Sequence, residues 1–117
     1  MYRLKELDVW RVSRELSHLT YHLTMRDPLE KHFKLRDQIR SAAASVPANI
    51  AEGYGLGTRP QFIRGLRISR GSVYELQAHL ELANEVGLIE SARHHDVQAL
   101  LTRTIALING MLRSLQR

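Results

Sequence analysis

Apolar residues recur through this chain at alternating steps of three and four, in four long stretches. No stretch of useful length shows the two-residue alternation of a half-buried strand. That periodicity allows helices and little else. Three breakers separate the stretches: Asp27-Pro28, the run GYGLGTRP at residues 53–60, and Gly87. The spacing predicts helices over about 7–25, 33–52, 59–86 and 91–116. The first carries Val9, Val12, Leu16, Leu19 and Leu23 on one face, with Glu6 and Asp8 suited to its N-terminus. The second carries Leu35, Ile39, Ala42, Val46 and Ile50, and Gly53 reads as its terminating residue. The third is capped by Thr58, tolerates Pro60 in its first turn, and repeats Phe62, Leu66, Ser69, Val73, Leu76, Leu80 and Ala83. The fourth opens at Ser91, read as an N-cap, and repeats Val97, Leu101, Thr104, Ile108, Met111 and Leu115. Leu100, Ile105, Leu107 and Leu112 widen its apolar arc to about 160°, more than one bundle core needs, so a second contact surface is expected there.

Four helices joined mostly by short links predict an all-α fold, an antiparallel up-down four-helix bundle. With 117 residues the chain is read as a single domain, 1–117. Cysteine is absent, which excludes disulfides and thiolate metal sites. No apolar run approaches the roughly 20 residues of a membrane span, and the N-terminal MYRLKELDVW lacks an apolar signal core, so a cytoplasmic protein with no membrane partner is expected.

Seventeen basic residues against twelve acidic ones give a formal charge of +5, and fourteen of the seventeen are arginine. Arginine suits bidentate contact with phosphate or carboxylate, which fits nucleic acid, an acidic partner or a subunit interface. The third helix orders its charges against the helix dipole. Arg59, Arg64, Arg67 and Arg70 fill its first half, Glu75, Glu81 and Glu85 its second. Arg59, Arg67 and Arg70 fall within about 80° of one another, off the core stripe. These four arginines are the candidate nucleic-acid-binding residues, with inter-subunit contact as the competing reading. Lys34, Arg36 and Arg40 could extend the basic surface. Tyr74 and Ile63 share the side of Arg70, and Trp10, Tyr21, Tyr54 and Tyr74 could stack on bases.

SVPANIAEGYGLG, residues 45–57, superficially suggests a phosphate loop. A dinucleotide site needs a strand before its glycines, and here a helix precedes them; a P-loop needs Gly-Lys-Ser/Thr, which is missing. The stretch reads as architecture: Pro47 kinks or widens the helix without breaking it, and Asn49 and Glu52 bond to freed carbonyls or to the following loop. His18 and His22 have metal-compatible spacing, and His94-His95-Asp96 lies at another helix start, but no H-E-x-x-H motif is present. No metal site, cofactor or catalytic residue is assigned, and the chain is read as non-enzymatic.

IRSAAASVPANIAEGYG, the arginine-bearing helix after it, GSVYELQAHLELANEVGLI, and the opening DVWRVSREL resemble the bacterial 23S rRNA-intervening-sequence proteins. Pro47, Asn49, Glu52 and Gly53 belong to the most specific part of that likeness. It implies a helical bundle assembled as a ring, often a homopentamer. Relatives serve as accessory subunits of reverse transcriptases in diversity-generating retroelements, where a basic ring contacts nucleic acid and the polymerase. The expected function is oligomeric nucleic-acid binding, to RNA first of all. The alternative is a protein–protein adaptor, for example to a reverse transcriptase.

Overall fold

Each apolar stripe becomes one helix in the computed structural model, which describes residues 3–117. The four are α1 (Asp8–Thr24), α2 (Phe33–Gly55), α3 (Arg59–Glu85) and α4 (Ser91–Leu115). Short 3-10 turns precede α1 (Leu4–Glu6) and α2 (Leu29–Lys31), and the described residues contain no strand. α1 packs on α2 and α4, and α3 packs on the same two; the α2–α3 contact is the most extensive. The molecule measures 44 × 21 × 20 Å, its long axis matching the about 40 Å length of a helix the size of α3.

The core is built from the stripes, with amendments. Leu16, Ile39, Val46, Ile50, Leu66, Val73, Leu76, Leu80 and Ile108 are wholly buried. Leu19 is 38% exposed, and Thr20 takes the buried place beside it. A threonine or serine can enter a helical core because its hydroxyl reaches a carbonyl of its own helix. Ser13 does so to Trp10, Thr24 to Tyr21 and Thr104 to Leu100, at 2.6–2.7 Å, whereas the buried Thr20 hydroxyl has no partner. The connections also bury apolar side chains: Leu7 ahead of α1, Leu29 ahead of α2 and Ile89 ahead of α4. The wide apolar arc of α4 is largely absorbed by its neighbours. Leu112 is buried, and Leu100, Ile105 and Leu107 pack half-buried against the core. The large exposed apolar side chains lie elsewhere, among them Phe33, Ile68, Leu82 and Val86.

The segment 45–57 corrects the expected end of α2. The helix passes through buried Pro47 unbroken and continues beyond Gly53 to Gly55. Gly57, at φ +88°, is the left-handed residue that turns the chain. Gly53 instead sits where α2 meets α3 at close range. A β-carbon there would stand 2.9 Å from the Gln61 carbonyl oxygen and 3.0 Å from the Gly65 Cα. One on Gly65 would stand 2.5 Å from the Asn49 carbonyl oxygen. Small residues continue this seam: the Ser69 hydroxyl donates to the Val46 carbonyl (2.8 Å), and Ser45 and Ser72 share a hydrogen bond (2.7 Å). Asn49 donates to the carbonyl and hydroxyl of Ser45, both at 2.8 Å. The carbonyl freed by Pro47 is that of Ala43, so Asn49 reinforces the seam and does not serve the proline. Glu52 is exposed.

The caps follow local chemistry. Thr58 accepts from the Gln61 backbone N–H (3.3 Å) and donates to the Gln61 side chain (2.8 Å), so α3 begins where its sequence signal lies. Gly87, at φ +83°, ends α3. The cap of α4 is Glu90, with no side-chain bond, and Ser91 is the first helical residue.

Candidate functional site

α3 presents different chemistry on opposite sides. Its Gly65, Ser69 and Ser72 side is spent on α2. Residues about 120–200° around the helix from Gly65 lie toward the α4 edge, and Arg59, Arg67 and Arg70 fall in that arc. Arg59, Arg64 and Arg67 are exposed, and Arg70 is half-buried. Arg70 Nη1 donates to Asn109 Oδ1 of α4 at 2.9 Å. The Gln116 amide, turned so that its nitrogen donates to the Leu112 carbonyl, offers its oxygen to Arg67 Nη2. Both guanidinium groups are thus held along the α3–α4 edge by neutral amides, which leave the positive charge uncompensated. Among the described residues no carboxylate lies within ion-pair distance of Arg59, Arg64, Arg67 or Arg70. Arg64 stands apart, about 120° around the helix from Arg70.

Of the basic residues of α2, Arg36 is paired with a carboxylate and Arg40 is tied to α1, away from this stripe. Arg36 pairs with Asp37 (2.9 Å), donates to the Glu30 carbonyl (3.1 Å) and lies 4.9 Å from the Phe33 ring centre. Arg40 donates to Thr24 Oγ1 (2.7 Å) and lies 4.4 Å from the Tyr21 ring centre, which ties α2 to α1. Of the aromatic candidates, Trp10 packs half-buried on the core with Arg14 5.0 Å from its ring centre. Tyr54 meets Phe62 edge to face at 5.7 Å. Both line a cleft of about 380 Å³ with Gly57, Thr58, Arg59 and Leu115, at the root of the arginine stripe. Tyr74 is free to contact a ligand, at 56% exposure.

Further along the same edge, a cleft of about 260 Å³ opens between α3 and α4. Tyr74, Gln77, Gln98, Leu101, Thr102 and Ile105 line it. Gln98 Oε1 is sealed from solvent and has no hydrogen-bond partner. Sequence reasoning found Tyr74 through its spacing from Arg70. It missed Gln77 and Gln98, because a glutamine on a helix carries no signal until the packing shows what its amide lacks. On the α1–α4 side, His22 and Asp96 border a cleft of about 180 Å³ together with Arg26 and Arg93. His18 faces Arg14 instead, at 3.5 Å. Among the described residues no three His, Cys, Asp or Glu side chains are grouped to hold a metal ion, and no helix is long and apolar enough to cross a membrane.

The 23S rRNA-intervening sequence protein family model matches residues 5–110. No curated protein matches the sequence. Among solved structures, the chain is similar to a protein of unknown function from the S23 ribosomal protein family of Bacteroides thetaiotaomicron. The TM-score is 0.81 at 23% identity, over 90% of this chain and 95% of that one. At that identity the likeness speaks for the fold.

Proposed function

Starting from the fact that this chain belongs to the 23S rRNA-intervening sequence protein family, we propose that it is a non-enzymatic, self-associating helical bundle that binds nucleic acid, RNA first of all, in the cytoplasm. One observation carries the reading: Arg59, Arg67 and Arg70 run along one edge of α3 with no carboxylate paired to them. Arginines held by neutral amides keep their charge and their fork geometry for phosphate. The bundle runs up-down. That order is supported by the pairing of Ser45 with Ser72, Val46 with Ser69 and Gly53 with Gly65, and of Arg70 with Asn109 and Arg67 with Gln116. In each set one residue number rises as the other falls.

Self-association, as a ring and in the family's manner a pentamer, is supported by the apolar side chains left exposed on α2 (Phe33), on α3 (Leu82) and at the C-cap of α3 (Val86). Those residues also favour a second reading, an adaptor that docks another protein such as a reverse transcriptase. Repetition around a ring would multiply a modest patch into a multivalent one. The test is fluorescence anisotropy with rRNA fragments and single-stranded DNA across a salt series. Binding should weaken linearly in log salt, and Arg67→Glu with Arg70→Glu should flatten that slope by about one for each phosphate no longer neutralised. No binding at low salt would end the nucleic-acid reading. Binding unchanged in the double variant, with assembly abolished, would assign these arginines to the subunit interface.

A further inference from the structure

The cleft between α3 and α4 adds a second kind of contact to the arginine stripe. We propose that it docks an unpaired base of single-stranded nucleic acid, with Tyr74 as the stacking surface. This rests on the nucleic-acid reading above and specifies the form of the ligand.

Tyr74 is the first reason. The core positions beside it, Val73 and Leu76, are wholly buried, while Tyr74 leaves more than half of its surface in water at the rim of a cleft. A tyrosine in that position offers a ring face to any base, whatever its sequence. The cleft itself is the second. Leu101 and Ile105 supply apolar walls, and about 260 Å³ suits a planar ring system more closely than a partner's helix.

Charge then sets the direction of the strand. Arg70 lies one helical turn before Tyr74, and Arg67 nearly another turn before that, about 6 and 10 Å along the axis. On the far side stands Glu81, whose Oε1 accepts from Gln77 Nε2 at 3.4 Å. Phosphates would be repelled there and attracted on the arginine side. The backbone therefore follows Arg59, Arg67 and Arg70, and the base turns into the cleft at Tyr74. A base held in a duplex cannot do this, so the site discriminates for single strands.

The experiment compares a labelled single-stranded oligoribonucleotide, the same oligonucleotide with abasic positions, and a duplex of the same length. Each is titrated by anisotropy against wild type, Tyr74→Ala and Tyr74→Phe, with light scattering to check assembly. Tyr74→Ala should weaken single-strand binding about tenfold, as loss of one stacked base does, and leave the duplex unchanged. Tyr74→Phe should restore wild-type affinity, and abasic positions should reproduce the loss with wild-type protein. Equal losses on single strand and duplex, or altered assembly in Tyr74→Ala, would overturn the base site. If wild type binds with an arginine-dependent salt slope but Tyr74→Ala changes nothing, base docking alone fails. If wild type binds no nucleic acid, both readings fail together.

Discussion

Gly65 offers the sharpest test of how this bundle is held together. A β-carbon placed there meets backbone on the facing helix: the Asn49 carbonyl oxygen at 2.5 Å and the Gly53 Cα at 2.9 Å. Neither neighbour can rotate away as a side-chain tip could. To reach ordinary contact, α2 and α3 must separate locally by about 1 Å, and overpacking of this kind costs about 1–3 kcal/mol. The same separation stretches two seam bonds, Ser69 to Val46 and Ser45 to Ser72, each worth about 1 kcal/mol. Alanine recovers about 1 kcal/mol through its higher helix propensity. Gly65→Ala should therefore lose about 2–4 kcal/mol. Gly71 is the internal control, because a β-carbon there meets nothing within 4 Å. Gly71→Ala should gain about 0.5–1 kcal/mol through propensity alone. Urea unfolding followed by helical circular dichroism, at one fixed protein concentration, measures both. If Gly65→Ala matches Gly71→Ala, the close crossing does not constrain the fold and the account of the seam is wrong.

Three further substitutions probe the same architecture and its outer surface. Ser69→Ala removes a buried donor from the Val46 carbonyl and should lower stability by about 1 kcal/mol in the same unfolding assay. Thr58→Ala removes the cap of α3 and should cost about 1 kcal/mol, whereas Thr58→Ser should leave stability nearly unchanged. Leu82→Asp, at an exposed position, should leave the unfolding free energy of the monomer within about 0.5 kcal/mol of wild type and reduce assembly in light scattering. A wild-type protein that scatters only as a 13.4 kDa monomer would refute the assembly itself.

The helices were legible because each buries one continuous stripe, and a 3–4 repeat survives small errors of phase. The exceptions have physical causes. Leu19 and Thr20 exchange their expected roles because the packing admits Thr20 although its buried hydroxyl has no partner, a cost that no apolar pattern anticipates. Gly53 was misread because a glycine that ends a helix and a glycine that lets two helices touch look alike in sequence. Its partner, Gly65, lies on another helix, so only the fold reveals the pair. The stripe formed by Arg59, Arg67 and Arg70 could be read from helical angle alone. Its anchors, Asn109 and Gln116, could not, because nothing local distinguishes them from other amides of the chain.

The two sides of α3 are chemically coupled through this arrangement. A backbone can approach another at the Gly53–Gly65 range only where neither carries a side chain, so the α2 side of α3 is small and uncharged through Gly65, Ser69 and Ser72. Charged side chains on α3 must then leave by the other directions. α4 and the residue that caps it receive one of those edges with amides, which orient a guanidinium and do not neutralise it. A carboxylate at Asn109 would have formed a stronger single contact and cancelled the charge. The segment SVPANIAEGYGLG supplies half of the close crossing and the turn into α3, so it bears on the arginine edge without touching it. Its contribution is the rotational setting of α3 about its own axis. That setting decides whether the stripe of Arg67, Arg70 and Tyr74 lies along the α4 edge or faces another part of the bundle.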